Sequence, residues 1–171
     1  MFLEKLIKSL PKNYRKIPVK GISFNSKNTK KKDIFFAIQG KKTSGDRFIR
    51  QAIEKGASAI ICDKKIINKN YQTPIILVKD ARESLSEACS SFYKKKPKNI
   101  IAVTGTNGKS SVADFFYQIL NLNKISVASI GTLGIISKKF KKKTNLTSLD
   151  PLLLHKSLQT LSSRKVNYVV L

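Results

Sequence analysis

The segment Thr104-Gly105-Thr106-Asn107-Gly108-Lys109-Ser110 constrains this chain more than any other. It follows a short apolar run, 99–103, and precedes a stretch, 110–122, whose Val112, Phe115, Phe116 and Ile119 recur at helical spacing. A glycine-rich turn between a strand and a helix is the context of a phosphate loop. Glycines let successive backbone N–H groups curl inward, and the helix amino end adds its positive dipole. Lys109 then supplies a mobile charge for β- and γ-phosphates, and the Ser110 hydroxyl a ligand for Mg²⁺. The longer G-x-x-x-x-G-K-[ST] pattern needs glycine at position 103, where this chain has Val103.

Around this loop the chain alternates strand and helix. Runs 33–38, 57–62, 75–78, 99–103, 126–130 and 166–171 read as strands. Asp46 is placed to cap a helix carrying Phe48, Ala52 and Ile53, which Gly56 stops; Asp80 caps one carrying Leu85, Ala88, Cys89 and Phe92. A further helix opens at Asp150-Pro151, and 137–143 reads as a hairpin or a loop. The helix over 110–122 is expected to bury Val112, Phe115, Phe116 and Ile119, and the last strand to end as an unpaired edge. This alternation predicts an α/β fold with a mostly parallel sheet. The run Lys94-Lys95-Lys96-Pro97 divides it into 1–97 and 98–171.

Composition excludes several classes. With 41% apolar and 26% charged residues over 171, a packed core is available and a disordered polymer is not. No apolar run reaches the ~20 residues that span a bilayer. The first ten residues lack the long apolar stretch of a secretory signal. Cys62 and Cys89 have no metal-ligand spacing and read as buried thiols, consistent with a reducing cytoplasm. The 34 Lys+Arg against 10 Asp+Glu leave a formal +24. That charge suits a polyanionic partner, and it equally suits a lysine-rich compositional drift. His155, the single histidine, is expected on an exposed helix face without a role.

The loop T-G-T-N-G-K-S resembles the ATP loop of the Mur ligase family, the ATP-dependent amide-forming ligases of peptidoglycan precursor synthesis, which serves cell wall biogenesis, cell shape and division. Folylpolyglutamate synthases and cyanophycin synthetases share that central domain. Other segments narrow the choice. Asn25-Ser26-Lys27, then Asp33 to Gly40, resembles the family's D-S-R … G-D-x-F-x-A-x-x-G signature, and Ser44-Gly45-Asp46-Arg47-Phe48 continues it. Gly131-Thr132-Leu133-Gly134 and Leu146-Thr147-Ser148-Leu149-Asp150-Pro151 are similar to its G-T-x-G and L-T-T-P-D-P segments. Together they resemble the MurE-type branch, which adds a diamino acid. Asn25, Lys27, Ser148 and Leu149 depart from the usual Asp, Arg, Thr and Pro.

The resemblance implies a small N-terminal α/β domain that takes the uridine end of the substrate, over 1–97. The start of a P-loop ATP-binding domain follows, over 98–171. Similar proteins continue with E-x-S-S-H, a carbamylated lysine and an amino-acid pocket, so the chain reads as the first part of a three-domain enzyme, inactive by itself. The implied reaction starts from UDP-N-acetylmuramoyl-L-alanyl-D-glutamate. Its carboxylate attacks the γ-phosphate of ATP, and a diamino acid then displaces phosphate from the acyl phosphate. Meso-diaminopimelate is the expected acceptor and L-lysine the alternative. Gly105, Thr106, Asn107, Gly108, Lys109, Ser110 and Ser111 would hold ATP, with Lys109 catalytic and Ser110 on Mg²⁺. Phe24, Ser26, Lys41, Lys42, Thr43, Thr147 and Ser148 would hold the UDP substrate. A cytoplasmic monomer without nucleic-acid or membrane partners is implied. The competing readings are another ligase with the same ATP domain and a basic nucleic-acid-binding protein.

Overall fold

A computed structural model of the chain describes all residues except Ser9, 41–43, 65–70, Lys139 and 145–148. The chain divides into two compact units, Met1–Phe92 and Tyr93–Leu171, so the lysine run 94–96 travels with the second. There the Lys96 carbonyl accepts a hydrogen bond from Ser162 Oγ at 3.1 Å.

The first unit is built on four parallel strands in sequential order: β1 (Gly21–Ser23), β2 (Asp33–Ala37), β3 (Ala59–Cys62) and β4 (Ile75–Leu77). Every residue of β2 and β3 is buried, as expected of apolar runs covered on both faces. Phe35, Ala37, Ile60 and Cys62 form one cluster with Ile49 and Ala52 of α1 (Ile49–Glu54). The second helix of the unit, α2 (Ala81–Phe92), buries Ala81, Leu85, Ala88 and Cys89. Asp80 caps α2, its Oδ1 accepting from the N–H groups of Arg82 and Glu83. Asp46 does not act in this way. It lies within a 3-10 turn, Gly45–Phe48, that leads into α1, and it accepts a hydrogen bond from Ser44 Oγ instead. Strand β1 gave no usable signal, because a three-residue strand has too few positions to show a period.

The second unit holds β5 (Asn99–Ile101), α3 (Lys109–Leu122), β6 (Val127–Gly131), β7 (Gly134–Ser137), β8 (Phe140–Lys142), α4 (Pro151–Ser163) and β9 (Tyr168–Val170). Its sheet runs in the order β5-β9-β6-β7-β8. β9 pairs in parallel with β5 on one side and β6 on the other. The final strand is therefore an inner strand, not the unpaired edge expected, because α4 carries the chain back and inserts it between β5 and β6. Of the stretch read as a hairpin or a loop, Ser137 and Phe140–Lys142 form a hairpin, with β7 antiparallel to both β6 and β8. The core gathers Ala128, Ile130, Ile135, Leu158, Leu161, Val166 and Val169.

Helix α3 departs from expectation. Val112, Phe115 and Ile119 are 53%, 61% and 58% exposed, and Leu122 is 78% exposed. The helix has no buried residue, and Phe116 is only half-buried. The 3.6-residue period correctly marked an apolar face, but among the described residues nothing covers that face.

Candidate phosphate-binding site

The ladder between β5 and β9 runs straight into the glycine-rich turn. Leu171 N–H donates to Ile101 O at 2.9 Å, and Val103 N–H donates to Leu171 O at 2.6 Å. Thr104 to Gly108 then form an exposed turn that opens α3. Gly108 is the N-cap residue with φ +77°, a left-handed conformation that glycine adopts without steric cost. A side chain there would meet only open space, so backbone conformation alone calls for glycine. No side chain caps α3. Its first-turn N–H groups therefore face outward, as an anion site at a helix amino end requires.

Lys109 folds its ammonium group back over the turn, donating to the carbonyls of Gly105 and, at 3.0 Å, Thr106. Ser110 Oγ stands 3.5 Å from Thr132 Oγ1, in the two-residue turn between β6 and β7. Both face a cleft of about 250 Å³ that is also lined by Asp114, Ser129, Leu149, Leu154 and Leu171. Among the described residues no group of three or more His, Cys, Asp or Glu stands together. The donors present, two hydroxyls and the Asp114 carboxylate, fit a Mg²⁺ that arrives with a polyphosphate and keeps most of its ligands as water and phosphate oxygens.

In the first unit, Phe24 and Ser26 follow β1. Phe24 is 36% exposed, whereas Ser26 is buried and donates from its hydroxyl to Gln51 Oε1 at 2.5 Å. Asn25, standing where the family has Asp, accepts Lys27 N–H at 3.0 Å and holds the turn 26–28. The loop Lys41, Lys42, Thr43 and the pair Thr147, Ser148 lie outside the described residues. The structure thus brings Gly105 to Ser111 together at one helix end, and Phe24 and Ser26 together in the other unit.

Three residues around these sites were not singled out by sequence. Gln51 is 25 positions from Ser26 and carries no motif. Asp114 lies within the helix 110–122 and belongs to no motif. Thr132 lay in a quoted segment, but only the hairpin turn puts it beside Ser110. His155 also differs from expectation. It is half-buried, with Nδ1 buried and without a hydrogen-bond partner among the described residues, and burial, then nearby Lys96, holds its pKa below the ordinary histidine value. Cys62 is a buried thiol as expected, pushed up to about 11 by burial and then by Asp46 and Asp63.

Comparison with known proteins agrees with this architecture. Residues 18–93 match the Mur ligase family, catalytic domain, and residues 103–171 the Mur ligase middle domain. A UDP-N-acetylmuramoyl-L-alanyl-D-glutamate--2,6-diaminopimelate ligase of Rickettsia montanensis is 43% identical over 169 residues, covering 95% of this chain and 34% of that protein. A solved ligase of the same name superposes with a TM-score of 0.82 at 21% identity, over 99% of this chain and 35% of that one, and shows the shared fold. A Thermotoga maritima MurF ligase in complex with ADP superposes with a TM-score of 0.55 at 26% identity, over 89% of this chain and 31% of that one. The chain spans about a third of the length of the curated relatives it matches. With both halves matched in order, and with a glycine turn, lysine and serine at the amino end of α3, the chain belongs to the Mur ligase family.

Proposed function

We propose that this chain is the UDP-substrate and phosphate-loop portion of an ATP-dependent amide ligase of peptidoglycan precursor synthesis, one that adds a diamino acid to UDP-N-acetylmuramoyl-L-alanyl-D-glutamate. One observation carries the reading: the exposed glycine turn opens α3 with no side-chain cap, and Lys109 and Ser110 of its first turn line a cleft sized for part of a nucleotide. The names of the relatives favour 2,6-diaminopimelate over L-lysine as the acceptor.

The chemistry follows from charge. A carboxylate must approach a γ-phosphate, and the two anions repel. Backbone N–H groups at the helix end bind and orient the phosphates, and Lys109 leaves its loop carbonyls to neutralise charge that builds up on transfer. Mg²⁺, when bound, supplies Lewis-acid neutralisation, and Ser110 with Thr132 and Asp114 would hold it there. The first unit would take the uridine end through Phe24, Ser26 and the loop Lys41, Lys42, Thr43. Thr147 and Ser148 would hold the muramoyl-peptide end.

Nucleotide binding by the 171-residue chain tests this. ATP with Mg²⁺ should bind, and Lys109→Ala should weaken binding by about ten-fold or more, the scale of one lost charge-assisted contact. Equal affinity in calorimetry would remove the phosphate-loop reading. Titration with the UDP-muramoyl dipeptide against a folate separates this reading from a folate-type ligase.

A further inference from the structure

The second unit has few carboxylates. Asp114 and Asp150 are the only acidic side chains in 93–171, and Arg164 is the only arginine. Both carboxylates stand at the phosphate-loop end, Asp114 in the cleft and Asp150 as N-cap of α4. The opposite edge of the sheet, where β6 and β9 begin and β7 ends, is bordered by basic residues.

That edge contains a second cleft of about 280 Å³. Lys124, Lys138, Arg164 and Lys165 line it together with Ser126 and Ser137, and none of the described residues lining it is acidic. The four cations are exposed. Arg164 stacks on the Phe140 ring, 4.5 Å from its centroid, which restrains the guanidinium in a planar, fork-shaped donor suited to oxyanions.

Lys124 and Lys165 occupy equivalent places. Each follows the C-cap of its helix, α3 or α4, in the left-handed conformation at φ +60°. Lys124 N–H bonds Asn121 O and Ile125 N–H bonds Leu120 O; Lys165 N–H bonds Ser162 O and Val166 N–H bonds Leu161 O. Both are Schellman endings, whose preferred residue at this position is glycine. The terminal carbonyls are already satisfied by backbone, so capping does not call for a lysine side chain at either place. What lysine adds beyond glycine is charge. Part of it offsets the negative helix ends, and the remainder, with Lys138 and Arg164, leaves the cleft cationic.

We infer that this cleft is a second anion site, distinct from the phosphate loop, for a small multiply charged phosphate oxyanion of the pyrophosphate class. The volume admits such an ion, and the described residues lining the cleft include four cations and no carboxylate.

Pyrophosphate titrated into the isotope-labelled 171-residue chain tests this, at about 0.15 M salt, where the screening length is about 8 Å. Amides of Ser126, Ser137, Arg164, Lys165 and Val166 should shift, and should still shift in Lys109→Ala. Lys124→Gly/Lys165→Gly should lower affinity at this edge by about ten-fold or more for two lost charge-assisted contacts. Glycine suits both backbone positions, so the melting temperature should hold or rise, which separates lost binding from lost folding. Lys138→Gln, in the exposed hairpin turn, should weaken binding by a smaller factor. Shifts confined to Gly105 to Ser110, or affinity unchanged in the double variant, would overturn the assignment. It also falls if a single-stranded oligonucleotide saturates these amides at lower concentration than pyrophosphate, since the edge would then serve a polymer.

Discussion

At Gly45 the chain passes close against its own backbone. A Cβ there would lie 2.5 Å from Ile38 N and 2.6 Å from Ala37 C, backbone atoms of the β2 exit that cannot swing aside. Gly45→Ala should therefore destabilise the first unit by about 1–3 kcal/mol, the usual cost of overpacking, read as a lowered urea midpoint. The sequence marked Gly45 only as part of a signature; the reason for glycine lies in a contact with residues seven and eight positions away. His155 is a residue-scale case of a different kind. Its folded pKa is lowered, so the unfolded chain takes up a proton first as pH falls. Stability should be full above the ordinary histidine pKa of about 6.5 and should decline as pH drops from there toward the lowered value. Melting temperatures across that window should fall for the native chain and stay flatter for His155→Gln. Only tertiary structure could reveal this, because burial of Nδ1 depends on what packs over α4.

Among the elements, α3 and α4 make the sharpest contrast. Both have helical apolar periodicity, yet α4 buries Leu158 and Leu161 whereas α3 buries nothing. Leu161→Ala should cost about 2–5 kcal/mol, as for other fully buried leucines. Phe115→Gln, on a face 61% exposed, should stay within about 0.5 kcal/mol and raise solubility. Comparable losses from both substitutions in denaturant titration would mean that the α3 face is covered in solution. Periodicity reports which face of a helix is apolar and is silent on what meets it. The hairpin β6–β7 teaches the same lesson. Its glycines were legible, but the reasons Gly134 must be glycine are its φ of +95° and the Lys142 carbonyl that a Cβ would strike.

For the whole molecule, charge is the dominant quantity. A formal +24 on 171 residues is self-repulsive, and the salt bridges seen, Lys8 with Glu87 and Arg50 with Glu54, lie at the surface. Exposed pairs such as these contribute little. Raising salt from about 0.02 to 0.2 M shortens the screening length several-fold and should raise the melting temperature; a fall would mean that specific ion pairs outweigh the repulsion. Among the described residues no helix is long and apolar enough to cross a membrane. By itself the sequence determined the α/β class, the strand–turn–helix setting of Lys109 and the order of the family's segments, because local periodicity, glycine and helix-end chemistry are encoded within a few residues. Tertiary structure alone decided that β9 runs inside the sheet, that Ser110 meets Thr132 and Ser26 meets Gln51, and that Lys124, Lys138, Arg164 and Lys165 line one cleft at the far edge of the second sheet. Those relations join residues tens of positions apart, and only the packing of distant segments brings them together.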